Sequence, residues 1–210
     1  MFKVSLRTVF VAVITILMPL MPSIVFAHHA EFMSNNPFWQ GFSMPIHGID
    51  HMMFSLAVGL IAAKIGGRAL WSVPLVFAVA MVLGGILNVS GIAIPLLQYG
   101  ILASLIICAA LLSWRPGVSL LLTVGLIGFF AIFQGNAMTD EYNLASMPFF
   151  ISGCLISSLI LLSIGVSLGL LISHLNKSIF RYLGIMMLAA AVVIGVFPEF
   201  DTSIIHLLNA

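Results

Sequence analysis

Residues 44–71 read MPIHGIDHMMFSLAVGLIAAKIGGRALW. One acid, Asp50, sits inside a long apolar stretch that ends at Lys64, Gly66-Gly67 and Arg68. About 20 apolar residues cross a hydrocarbon core about 30 Å thick, and inside it every backbone polar group must be satisfied by helix. Residues 41–63 meet that requirement, and the glycine pair with its flanking bases marks a turn at the membrane surface.

The same length recurs along the chain. Spans are expected at 41–63, 70–88, 94–113, 117–137, 147–173 and 179–198, separated by turns such as Asn88-Val89-Ser90-Gly91 and Arg115-Pro116-Gly117. The composition agrees: of 210 residues, 62% are hydrophobic and 6% charged, with a mean hydropathy of +1.25. A water-soluble domain has about a quarter of its residues charged, so that class is excluded. No basic run exists to neutralise a phosphate backbone, so nucleic acid is excluded as a partner. Cys108 and Cys154 lie far apart in apolar stretches and suggest neither a zinc spacing nor a disulfide framework.

Residues 1–27 have the three-part form of a secretory signal: Lys3 and Arg7, an apolar stretch, then Val25-Phe26-Ala27. Cleavage after Ala27 gives a mature chain of 28–210, a single transmembrane domain; a retained spanning helix is the competing reading. The expected fold is therefore an all-α integral membrane protein, a bundle of six transmembrane helices after a cleavable N-terminal signal peptide.

Orientation follows from the charges, because Lys and Arg collect in cytoplasmic loops. With the mature amino terminus outside, Lys64, Arg68, Arg115, Lys177 and Arg181 are all cytoplasmic. Glu31, Asp140, Glu141, Glu199 and Asp201 then fall on the other face. The expected location is the bacterial inner membrane, with both mature ends periplasmic. Gly84-Gly85, Gly153 with Ser157, and Gly165 with Gly169 are small residues at spacings that let helices approach closely in lipid.

Asp50 is the one carboxylate within an expected span, at a cost of roughly 2.5 to 3.5 kcal/mol on insertion scales. On a helix His47, Asp50 and His51 share a face, and Met44 and Ser55 extend the same stripe. Pro45 fits the first turn of such a helix, which places the cluster near the outer mouth. Two imidazoles and a carboxylate form a partial site for a borderline divalent metal. The bland alternative is a polar knot tying the helix to its neighbours. His28 and His29, with the new amino terminus, form a candidate outer capture site beside Glu31. His206 lies on the same face, and His174 is expected at the cytoplasmic interface.

The segment with Gly48-x-Asp50-His51, Val58-Gly59-Leu60, Ala62-Ala63 and Gly66-Gly67-Arg68-Ala69-Leu70-Trp71 closely resembles the HupE/UreJ family of small membrane proteins. The likeness continues through Pro74, Gly84-Gly85, Pro95, Ala103-Ser104, the Phe130 to Ala137 stretch and Gly153 to Gly169, nearly the whole mature chain. It implies uptake of nickel or cobalt for hydrogenase and urease, with the metal as transported substrate and no permanently bound cofactor. Asp50 and His51 carry over directly. The family's first-span His stands as Met44, while His47 is additional. In the fourth span two histidines are replaced, leaving Phe133-Gln134-Gly135-Asn136-Ala137-Met138-Thr139-Asp140-Glu141 with only Glu141 of the pattern. An expected third-span acid is Gln98, and an expected fifth-span His is Leu162. The chain is a divergent member by this pattern.

These replacements make the site softer and less charged. Met33, Met44, Met138 and Met147 gather toward the outer face, where thioethers favour copper(I), although Met is also a routine core filler. The leading expectation is a nickel permease, cobalt or copper being alternatives, with Met44, His47, Asp50 and His51 binding metal. Gln98, Gln134, Asn136, Met138 and Glu141 are the path-lining candidates. A non-transporting metal-binding or accessory module is the second reading. An intramembrane metallohydrolase is the third and wants a further protein ligand, so the chain is not expected to be an enzyme. The expected partners are the metal ion, the bilayer and, as an open alternative, a second copy of the chain.

Overall fold

In a computed structural model of the chain, the described residues are 36–92, 94–114, 119–138 and 147–196. They form seven helices and no strand: α1 Pro37–His47, α2 Ile49–Ile65, α3 Ala69–Val89, α4 Leu97–Ser113, α5 Leu120–Ala137, α6 Met147–Leu175 and α7 Ile179–Val196. Four of them (α3, α5, α6, α7) are long and apolar enough to cross a membrane, and α1 with α2 makes a fifth if the bent pair is one span. The remaining helix, α4, is apolar and 17 residues long. The signal segment 1–27, His28, His29, Met33, Arg115, Glu141 and the tail beyond 196 lie outside the described residues.

The surface is that of a body immersed in hydrocarbon. Trp71, Leu75, Val79, Leu83 and Ile86 run down one side of α3 at helical spacing and are all exposed. A helix apolar on its outer as well as its inner face belongs in lipid. α2 is the central element and touches all six other helices. It is accordingly apolar and buried nearly all round, from Phe54 through Ala63.

Glycines set the helix crossings. A Cβ on Gly59 would strike the Leu162 carbonyl on α6, and one on Gly165 would strike the Leu56 carbonyl on α2. Gly84 on α3 and Gly135 on α5 abut the Ile132 and Met81 carbonyls in the same way. Backbones this close gain dispersion contacts that bulkier residues would prevent. The small-residue positions expected at Gly84, Gly153, Gly165 and Gly169 all meet a neighbouring helix.

Neighbour registers also fix direction. Along α2 and α6, and along α3 and α5, contacting residues rise together, so each pair is parallel. α4 ends where α2 ends, because Lys64 Nζ donates to the carbonyls of Leu111, Leu112 and Trp114 at 2.8 Å each. Lys64, Arg68, Lys177 and Arg181 therefore lie at one end of the bundle, and Asp50 lies toward the other.

The first expected span is corrected. Residues 41–63 are not one helix: the chain starts helical at Pro37, breaks at Gly48 and resumes at Ile49 with a bend of 78°. Asn36 caps the start, its Oδ1 accepting from the Phe38 N–H at 3.0 Å, and Pro37 occupies the first turn, where no N–H is needed. Pro45 is thus near the end of α1 rather than in a first turn.

Candidate functional site at the helix break

Gly48 has φ −76° and ψ 107°, an extended conformation between two helices. Its N–H donates to the Met44 carbonyl at 3.0 Å and its own carbonyl accepts from Met52 at 2.9 Å, so both backbone groups of Gly48 are hydrogen-bonded. What it lacks is a side chain, and two neighbours use the space. A Cβ on Gly48 would lie 2.9 Å from His51 Cδ2 and 3.2 Å from Asp50 Oδ1. The imidazole and the carboxylate are brought together over the glycine.

Asp50 is half-buried in the first turn of α2. Its Oδ1 accepts from the His51 N–H at 2.8 Å. A carboxylate there is stabilised by the positive end of the α2 dipole. It remains half-exposed to whatever enters the break. His51 is 8% exposed, and its Nδ1 has no hydrogen-bond partner. An unpaired buried polar nitrogen costs about 1–3 kcal/mol and asks for a ligand or a water.

His47 does not share their face. It is the last residue of α1, exposed, with Nδ1 donating to the Ser43 carbonyl at 2.8 Å. The single stripe expected for His47, Asp50 and His51 required a continuous helix, and the 78° bend removes that premise. Among the described residues no three His, Cys, Asp or Glu side chains converge on one point. Met44 lies one turn before the break, partly buried against the core.

The amide-bearing candidates divide. Gln98 is exposed at the start of α4. Gln134 is 2% exposed; its Nε2 donates to Ser104 Oγ at 3.2 Å, while its Oε1 has no partner. Asn136 is committed to the scaffold. Its Nδ2 donates to the Gly84 carbonyl at 3.3 Å and the Ile92 carbonyl at 3.2 Å, and its Oδ1 accepts from the Ile94 N–H at 3.4 Å. Met138 lines a small void between α3, α5 and α6 together with Met81 and Cys154. Leu162 is fully buried against Gly59. Gly48 is not among the candidate residues read from the sequence, although a proline three residues before a glycine is a signal for a break.

These features define a helical membrane protein of several spans whose most central helix is interrupted, with a carboxylate and an imidazole gathered at the interruption. The family described as HupE / UreJ protein matches residues 16–194, and the chain belongs to it. It is 29% identical over 152 residues to Protein HupE of Rhizobium leguminosarum bv. viciae, an alignment covering 70% of this chain and 77% of that protein. No solved structure matches.

Proposed function

We propose that the chain is a permease of the bacterial inner membrane for a divalent transition metal, nickel first and cobalt next, with six spans and both mature ends periplasmic. The observation that carries the reading is the convergence of Asp50 Oδ1 and the His51 ring over Gly48 at the break. Interrupted helices recur as ion sites in transporters, because they expose backbone and helix ends at a protected depth. The negative end of α1 faces the break, and the Asp50 carboxylate offsets the positive end of α2 there, so the two together favour a cation. Family membership supports the metal, and the gathering of Lys64, Arg68, Lys177 and Arg181 at one end supports the orientation.

In this mechanism a hydrated cation is captured at the outer face, by His28 and His29 if the signal is removed after Ala27. It exchanges part of its water for the Asp50 carboxylate and the His51 imidazole and leaves inward as the helices reorganise. A site with one carboxylate and one imidazole binds weakly enough to let go, which conduction requires. The metal is cargo for hydrogenase or urease assembly, and the chain itself performs no reaction.

The test is uptake of nickel, cobalt, zinc and copper by cells expressing the chain, beside Asp50→Ala and His51→Ala at matched levels. Uptake of one metal that vanishes in both variants establishes the permease and names its cargo. Equal uptake in all three, with no excess over control cells, moves the reading to a non-transporting metal-binding module. A copper preference is the second reading, favoured by the thioethers of Met81 and Met138 and the thiol of Cys154 around one void.

A further inference from the structure

Serine hydroxyls inside membrane helices ordinarily bond back to their own helix, since lipid offers no alternative. α6 follows that rule at four positions. Ser152 donates to the Phe149 carbonyl at 2.7 Å and Ser163 to Leu159 at 2.7 Å. Ser167 donates to Ser163 and Ser173 to Gly169, both at 2.9 Å. Ser157 and Ser158 break it. They are 1% and 0% exposed, and neither hydroxyl has a hydrogen-bond partner.

Their height in the bundle gives the reason. α2 and α6 run parallel, and a Cβ on Gly59 would lie 2.7 Å from Val166 N and 2.9 Å from the Gly165 Cα. His51 precedes Gly59 by eight residues; Ser157 and Ser158 precede Gly165 and Val166 by eight. Eight residues rise about 12 Å in any α-helix, so all three stand at one level of the α2/α6 interface. Ser158 also precedes Gly165 by two turns, on the face that α6 turns toward α2. At this one level three polar groups on facing helices, His51 Nδ1 and the two hydroxyls, are buried and unsatisfied. Such a concentration is costly unless something occupies it.

We propose that Ser157 and Ser158 complete the cation site, presenting hydroxyl oxygens from α6 to a metal held from α2 by Asp50 and His51. This rests on the permease reading and deepens it. Hydroxyls are neutral, hard donors that hold a divalent cation directly or through its remaining waters. They add ligands without adding charge. The site then spans two helices that touch at Gly59 and Gly165, so movement between α2 and α6 takes donors away from the metal and releases it.

The test uses the full chain in lipid nanodiscs, with Cys108→Ala and Cys154→Ala removing the native thiols and Ser157→Cys or Ser158→Cys supplying one. The probe is a cationic methanethiosulfonate reagent, with and without nickel. The expected result is modification of at least one of the two cysteines, slowed about tenfold by nickel. Absence of modification at both positions, or modification that nickel leaves unchanged, overturns the proposal. A second measurement keeps the native cysteines: Ser157→Ala with Ser158→Ala raises the nickel concentration for half-maximal uptake about fivefold or more, while Asp50→Ala abolishes uptake. An unchanged half-saturation also overturns it. If wild-type cells accumulate no metal while nickel still protects the cysteine, the permease reading fails and the binding site stands. If uptake is present without protection, this inference alone fails.

Discussion

The ammonium of Lys64 lies 2.8 Å from the carbonyl oxygen of Leu111, at the end of α4. The same nitrogen donates to Leu112 and Trp114, so one side chain closes the last turn of a helix two spans away. The last four carbonyls of any helix have no intrahelical partner, and a cation there also meets the negative end of the dipole. Lys64→Met keeps the length of the stem and removes all three bonds. We expect a loss of about 2 kcal/mol, in the range for charge-assisted bonds, read as a lowered unfolding midpoint in detergent. Lys64→Arg retains most of it.

Gly48→Ala tests the break. The backbone dihedrals at Gly48 are open to alanine, so the substitution acts through the added methyl alone. That methyl meets His51 Cδ2 at 2.9 Å and Asp50 Oδ1 at 3.2 Å. The His51 ring must shift aside, and the Asp50 carboxylate must give by a few tenths of an ångström. Nickel affinity measured by calorimetry is expected to fall about tenfold or more, with the unfolding midpoint nearly unchanged, since effects of small misplacements on binding groups are large.

His47 and Asp50 are expected to separate functionally. His47→Ala removes an exposed ring bonded only to its own helix, and nickel affinity should stay within about twofold of wild type. Asp50→Asn keeps size and hydrogen bonding and removes the charge that balances a divalent cation, so binding should fall below detection. Equal losses for both substitutions in the same titration would restore the single-stripe arrangement and remove the bend from the account.

The long apolar helices were legible because lipid imposes one length and one composition on a span. Residues 70–88, expected as a span, are helix Ala69–Val89, and 147–173 are Met147–Leu175. The break was not legible by that rule, because hydropathy averages over Gly48 and sees one apolar stretch on both sides. Asn36-Pro37 carried the missing information, a capping residue and an N1 proline that start a helix four residues earlier than the apolar run does. The proposed site was half legible. Asp50 stood out by its cost, whereas Ser157 and Ser158 resemble the other serines of α6 until the partners of each hydroxyl are known.

Asn136 illustrates the opposite case, a candidate for the path that the fold already employs. Its side chain binds Gly84 on α3 and both Ile92 and Ile94 in the segment leading to α4, and its carbonyl accepts from Asn88 Nδ2 at 2.7 Å. Beside it, Gly84 brings α3 against α5 so closely that a Cβ would lie 2.9 Å from the Asn136 N–H nitrogen. Leu96, just downstream, adopts φ 58° and ψ 32°, a left-handed conformation costing about 1–2 kcal/mol for a leucine. A loop carrying that strain needs the anchoring that Asn136 supplies. Asn136→Ala removes a buried donor and acceptor and leaves the Gly84 and Ile92 carbonyls without this partner. The expected loss is about 2–3 kcal/mol of stability in a denaturant titration, with nickel affinity of the folded fraction unchanged. A weakened affinity at unchanged stability would instead put Asn136 on the cation's route.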